Sequence, residues 1–232
     1  MEQLRKPLPT LTVRERNMGF AYLAFEILLL PVLLQLLGSA FSFAISIAAV
    51  NIVYFSVNFL AVLVIFQKYW MRSVLHLRRH YRPMIHSAIL GLLFYWFCNS
   101  LFSAAVQVLF PEYVNLNDSS IVDIFADYPV LMFLGTVILA PVAEEMLHRG
   151  LIFGTLWKKS APLAYLLSAI FFASIHVAQY VGLYSPVYML VALVQYLPAG
   201  LIFAWAYQNS GSIFAPILIH IINNTIAFFL TR

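Results

Sequence analysis

The segment ILAPVAEEMLHRGLIFGTLW, residues 138–157, places Glu144, Glu145, His148 and Arg149 inside an apolar run long enough to span a membrane. A charged residue at the bilayer centre costs about 2.5–3.5 kcal/mol on insertion scales, so such groups mark a site and require partners. On one helix Glu145 and Arg149 stand at i and i+4 with the acid N-terminal, the favourable order for an ion pair, and arginine holds a carboxylate through two hydrogen bonds. Glu144 projects about 100° away round the helix and is left over. His148, at i+4 from Glu144, can orient that carboxylate or face the headgroups; the second placement is the expectation.

Two further polar pairs follow. Phe172 and His176 in SAIFFASIHVAQY, and His220 and Asn224 in SIFAPILIHIINNTIAFF, are each separated by one helical turn and share a face. Counted from the cytoplasmic boundary, at Lys158, Pro162 and Gly211, at ~1.5 Å per residue, Glu144, His176 and Asn224 fall at nearly one depth, about 20 Å, with His220 one turn closer to the cytoplasm. A carboxylate in an apolar site suits a general base that takes a proton from water and returns it to a leaving amine. A neighbouring histidine can hold the water, and a second histidine with an asparagine amide can stabilise the oxyanion of an attacked carbonyl. That is machinery for amide hydrolysis. The same groups are zinc-ligand types, and Glu144, His176 and His220 are the ligands of a metal-dependent version; the HExxH of ordinary zinc proteases is absent from the sequence.

The elements that must position these groups are membrane helices. The chain of 232 residues is 63% hydrophobic and only 9% charged, outside the range of soluble globular domains. Apolar runs at about 18–37, 42–66, 86–109, 129–157, 162–178, 187–207 and 213–230 read as seven transmembrane helices. The fourth is too long for one perpendicular crossing and must tilt, bend near Pro141 or begin outside the hydrocarbon. The basic start, MEQLRKPLPTLTVRERN, precedes a run without a small-residue cleavage site and reads as leading into a retained first span. With the N-terminus cytoplasmic, Arg5, Lys6, Arg14 and Arg16, then Lys68, Arg72, Arg78, Arg79 and Arg82, then Lys158 and Lys159 all lie inside, leaving Arg149 in a span and Arg232 outside. The opposite loop carries Glu112, Asp118, Asp123 and Asp127. The expected architecture is an all-α polytopic membrane helix bundle forming a single membrane domain over 1–232, with N-terminal spans in 1–124 and a catalytic core in 125–232. The basic charge serves topology, not nucleic acid. Glu26, Asn51, Asn58, Asn99, Gln107 and Gln195 are read as interhelical hydrogen-bonding groups, with Glu26 the one to watch for a further role. Gly150 and Gly154 permit close helix approach.

The set EExxxR at Glu144, Glu145 and Arg149, FxxxH at Phe172 and His176, and HxxxN at His220 and Asn224, in this order on late membrane helices, resembles the CAAX-processing and bacteriocin-processing (Abi) family of intramembrane proteases. The resemblance covers about residues 125–230. It implies an endopeptidase in which Glu144 and His176 activate water and His220 and Asn224 form the oxyanion site, while Glu145, Arg149 and Phe172 support them. It further implies a membrane-associated peptide or protein substrate in peptide maturation, pheromone processing or bacteriocin immunity, and a bacterial plasma membrane location. No cofactor is needed by the glutamate mechanism; zinc is the main alternative. Two rival readings stay open: a non-enzymatic immunity or regulatory protein that binds a peptide or membrane partner, and an ion or proton transporter, which leaves Asn224 without a role.

Overall fold

A computed structural model describes residues 8–40, 46–115 and 128–230. Arg5, Lys6, Asp118, Asp123, Asp127, Arg232 and the start of the second expected span lie outside the described residues. Within them every regular element is helical.

Helix α1, Val13–Leu28, starts at a capping box in which Thr12 and Glu15 satisfy each other's backbone donors. Glu15 is buried and also accepts from the Tyr69 N–H at 2.6 Å and Arg72 at 3.1 Å, tying the start of α1 to a later helix. Helix α2, Leu30–Ala40, continues α1 across a 43° bend. Pro31 is the cause, since its ring removes one backbone donor and clashes with the preceding turn. Helix α3 is Ile47–Ile65, capped by Ser46. Helix α4 runs Gln67–Leu109 with a non-helical residue at His80 (φ −130, ψ 34), three before Pro83. Its 43 residues would reach about 65 Å, twice a bilayer core; the basic first half therefore extends beyond the span expected at 86–109.

Helix α5, Pro129–Trp157, is continuous, but residues Phe133–Leu139 and Met146–Phe153 are π-helical. A π turn closes i→i+5 bonds and takes up more residues per turn than an α turn. Fifteen of the 29 residues of α5 are wound this way, which shortens the helix and relieves the excess length noted above. Pro141, without an N–H, sits in the first turn of the α-helical segment Ala140–Glu145 between the two wide stretches. Helix α6 is Ala161–Val177, followed by a 3₁₀ turn Ala178–Tyr180. Helix α7, Pro186–Ser210, ends at Gly211 in the left-handed region (φ 69), a conformation that favours glycine. Helix α8 is Phe214–Leu230.

Five of these helices are long and apolar enough to cross a membrane, and the bent α1–α2 pair makes a sixth. The seventh expected span, α8, has 17 residues, at the short end for a crossing. Large side chains such as Leu60, Val64, Phe97 and Leu101 point outward, as a lipid-facing surface requires. Helix α5 packs against α3, α6, α7 and α8. Leu23, Val62, Phe66 and Tyr69 from the first four helices share one buried cluster with Leu147, Phe153 and Tyr207 from the later ones. At Gly200 helix α7 lies directly on the α6 backbone: a Cβ there would stand 2.7 Å from the Ala169 Cα. The expected small-residue contact works only in part: Gly154 faces the Tyr207 hydroxyl, whereas Gly150 is covered by Met146 of its own helix.

Candidate active site

The two adjacent glutamates have different surroundings. Glu145 is fully buried and its Oε1 accepts from Arg149 Nη1 at 3.0 Å, the i, i+4 pair read from the sequence. Arg149, also fully buried, sends its other arm to the Gly200 carbonyl at 3.1 Å. Its guanidinium lies 4.5 Å from the Phe172 ring centroid and 5.2 Å from that of Phe203. Phe172 thus supports Arg149 from α6, and Phe203, which no sequence pattern distinguished, does so from α7. These contacts fix the turn that bears Glu144.

Glu144 projects towards α6 and α8. Its Oε2 is shielded from solvent and has no hydrogen-bond partner, yet it stands 3.9 Å from His176 Nε2 and 3.8 Å from His220 Nε2. Each ring is aimed through its other nitrogen. His176 Nδ1 lies 2.8 Å from the Phe172 carbonyl, so it donates there and leaves Nε2 facing Glu144. His220 Nδ1 lies 3.0 Å from Glu145 Oε1 and donates to that carboxylate. The sequence pattern missed this link: Glu145 holds both Arg149 and His220. Tyr196 of α7 stacks on His176 at 4.5 Å, and Phe172 lies edge-on to His220.

The remaining polar residues are placed as follows. Asn224 Nδ2 donates to the Thr136 carbonyl at 2.9 Å, linking α8 to the first wide stretch of α5. The depth count had set Asn224 level with Glu144. Eight π-helical residues lie between Glu144 and the Trp157 end of α5, which shortens that stretch relative to a uniform α-helix, and His220 Nε2 stands 3.8 Å from Glu144 Oε2. His148 does not face the headgroups: it is buried, gives Nδ1 to the Glu144 carbonyl at 2.7 Å and packs edge-on against Phe172. Asn58 accepts from Tyr22 at 2.7 Å, the interhelical bond expected of it, whereas Gln195 accepts at 2.6 Å from Tyr113 in the non-helical segment after α4.

Two imidazole nitrogens stand 3.8–3.9 Å from one carboxylate oxygen, too far for direct hydrogen bonds and near enough to share one small hydrogen-bonding species with it. They are also zinc-donor types. Among the described residues, however, no group of three or more His, Cys, Asp or Glu is arranged to hold a metal ion.

Residues 126–226 match a family model described as type II CAAX prenyl endopeptidase Rce1-like. The matched stretch is less than half of the chain. It contains Glu144, His176, His220 and Asn224, and leaves α1–α4 outside the match. A Bacillus subtilis (strain 168) protein named "Putative membrane peptidase YdiL" is 27% identical over 147 residues. That similarity covers 59% of this chain and 55% of the relative, so the chain spans little more than half the length of the curated protein it matches. No solved structure matches the chain. The matched stretch and the three motifs coincide on α5, α6 and α8.

Proposed function

We propose that the protein is an intramembrane endopeptidase of the CAAX type, which hydrolyses a peptide bond in a membrane-associated peptide or protein with water activated by Glu144. The supporting observation is the shielded, unpartnered Oε2 of Glu144 opposite two oriented Nε2 atoms. A water lodged there donates one hydrogen to Glu144 and another to His176. Glu144 takes the first proton as the water oxygen attacks the carbonyl, and the oxyanion forms towards α8. His220, held through Nδ1 by Glu145, meets it through Nε2 when that nitrogen also carries a proton. Asn224 has a second amide N–H beyond the one given to Thr136 and contributes from the next turn. Glu144 then returns its proton to the departing amine, and the tetrahedral intermediate collapses to acid and amine. No step is assigned to a metal.

The resemblance supports a substrate in peptide maturation, pheromone processing or bacteriocin immunity, in a bacterial plasma membrane, with the basic segments of the chain on the cytoplasmic face. Purified protein in nanodiscs, incubated with a library of tagged peptides, tests the activity. Wild type cuts at least one peptide and Glu144→Ala and His176→Ala cut none. If no preparation cleaves while the alanine variants still work in cells, the protein is a binding or immunity factor.

A further inference from the structure

The basic half of α4 has no part in this chemistry. Helix α4 carries Lys68, Arg72, Arg78, Arg79 and Arg82 and no acid. Glu15 pairs with Arg72, but among the described residues no carboxylate pairs with Arg78, Arg79 or Arg82. Just past the break at His80, an open cavity of about 370 Å³ lies between α4 and α7, lined by Arg82, Pro83, His86, Ser87 and Asn209. Its floor is fixed: Ser87 is fully buried and accepts from Asn209 Nδ2 at 3.0 Å, tying the two helices together. Its rim is exposed, formed by Arg82 and by His86 one turn further along α4. Arg82 gives only Nε, to the Tyr81 hydroxyl at 3.4 Å; the N–H groups on its two terminal nitrogens have no acceptor among the described residues.

Beyond this rim the same helix face becomes apolar. Ile89, Leu93 and Phe97 follow His86 at helical spacing, and each is more than half exposed. From Arg82 to Leu93 the helix rises about 16 Å, roughly half of a ~30 Å bilayer core. A cationic rim over a polar floor, at the head of an exposed apolar track one leaflet long, complements an amphiphile with an anionic head and an acyl chain. We propose that the cavity between α4 and α7 binds the phosphate of an anionic phospholipid. Arg82 grips two phosphate oxygens with its planar pair of terminal nitrogens, the geometry that suits guanidinium to phosphate. His86 donates from a ring nitrogen, and one acyl chain lies along Ile89, Leu93 and Phe97. Basic pockets between membrane helices recognise headgroups in this way. Ala88, next to Ser87, is buried with Phe172, Phe203 and Ile219, so a lipid that braces α4 against α7 also steadies the packing behind His220. Lipid binding here requires no catalytic step.

Native mass spectrometry of the full chain tests the site without turnover, the protein being released from nanodiscs that hold equal amounts of phosphatidylglycerol and phosphatidylcholine with the same acyl chains. Wild type should retain phosphatidylglycerol with a preference of at least about tenfold, the effect of one charge-assisted contact. R82Q should abolish that preference, and R82K, which keeps the charge but not the planar pair of donors, should fall between the two. R78Q and R79Q, on the same basic run but outside the cavity, should keep the wild-type preference. No preference in wild type, an R82Q protein that retains lipid like wild type, or equal losses in R78Q, R79Q and R82Q would overturn the site; the last result would leave only the general attraction of a basic helix for an anionic surface. Inorganic phosphate and glycerol 3-phosphate, which carry the head without the acyl chain, should not displace the lipid at millimolar concentration. Displacement by either would assign the cavity to a free phosphate compound and reject the lipid. Arg82 is exposed, so R82Q should keep its unfolding midpoint in phosphatidylcholine alone, whereas added phosphatidylglycerol should raise the midpoint of wild type and not that of R82Q. If R82Q is unstable, H86Q at the other exposed rim position replaces it, and a preference indifferent to H86Q rejects the assignment.

Discussion

Arg149→Met isolates the support beneath the site. Arg149 makes two hydrogen bonds, to Glu145 and to the Gly200 carbonyl, and lies between two aromatic rings. The methionine fills much of the volume but leaves Glu145, with no exposed surface, paired only with His220. Removing one partner of a buried pair costs about 3–5 kcal/mol. Arg149→Lys keeps the charge and one bond. It gives up the second charge-assisted bond, about 1.5–3 kcal/mol, and part of the ring contacts, so a loss of about 2–3 kcal/mol is expected. In the double variant Glu145→Gln/Arg149→Met neither charge remains, and glutamine can still accept from His220. A double-mutant cycle should give a coupling of about 2 kcal/mol, near the upper end for contacting residues. Denaturant titration in micelles, followed by tryptophan fluorescence, should rank wild type above Arg149→Lys and Arg149→Lys above Arg149→Met, with the double variant recovering stability relative to Arg149→Met. Additive losses, or an Arg149→Met protein within about 0.5 kcal/mol of wild type, the range of ordinary surface substitutions, would refute the ion-pair account.

Gly200→Ala drives a methyl group into the Ala169 backbone; overpacking of this kind costs about 1–3 kcal/mol, and because α6 carries His176, cleavage should fall along with the melting temperature. Tyr22→Phe removes the bond to Asn58 and should cost about 0.5–1.5 kcal/mol in the same denaturation assay, an unchanged midpoint counting against a stabilising role for that bond. Cleavage by the purified protein should survive a strong zinc chelator, and loss of activity that returns with added zinc would reassign Glu144, His176 and His220 as ligands.

The late half of the molecule was legible because lipid makes polar residues conspicuous. Glu144, Glu145, Arg149, His176 and His220 stand out against apolar neighbours, and helical spacing alone paired Glu145 with Arg149. Vertical position was harder. A count at constant rise assumes α-helix throughout, and the π-helical turns of α5 break that assumption. His148 was misplaced for a related reason: a histidine near a helix end reads as interfacial, yet its Nδ1 finds the Glu144 carbonyl and its ring finds Phe172. Phe203, Tyr196 and the Gly200 carbonyl could not have been singled out, since an aromatic or glycine in an apolar helix looks like any other. Glu26 was visible as an oddity, but its bond from Tyr54 depends on the packing of α1 on α3, which periodicity does not encode.

The most direct test compares Glu144→Gln with Glu145→Gln in one nanodisc preparation, measuring peptide cleavage and unfolding midpoint on each. The account predicts that Glu144→Gln keeps its midpoint and loses at least about a hundredfold in cleavage rate, the lower bound for removing a general base, whereas Glu145→Gln loses stability as well as rate. A Glu144→Gln protein that still cleaves near the wild-type rate, or that loses activity only because it unfolds, would contradict it.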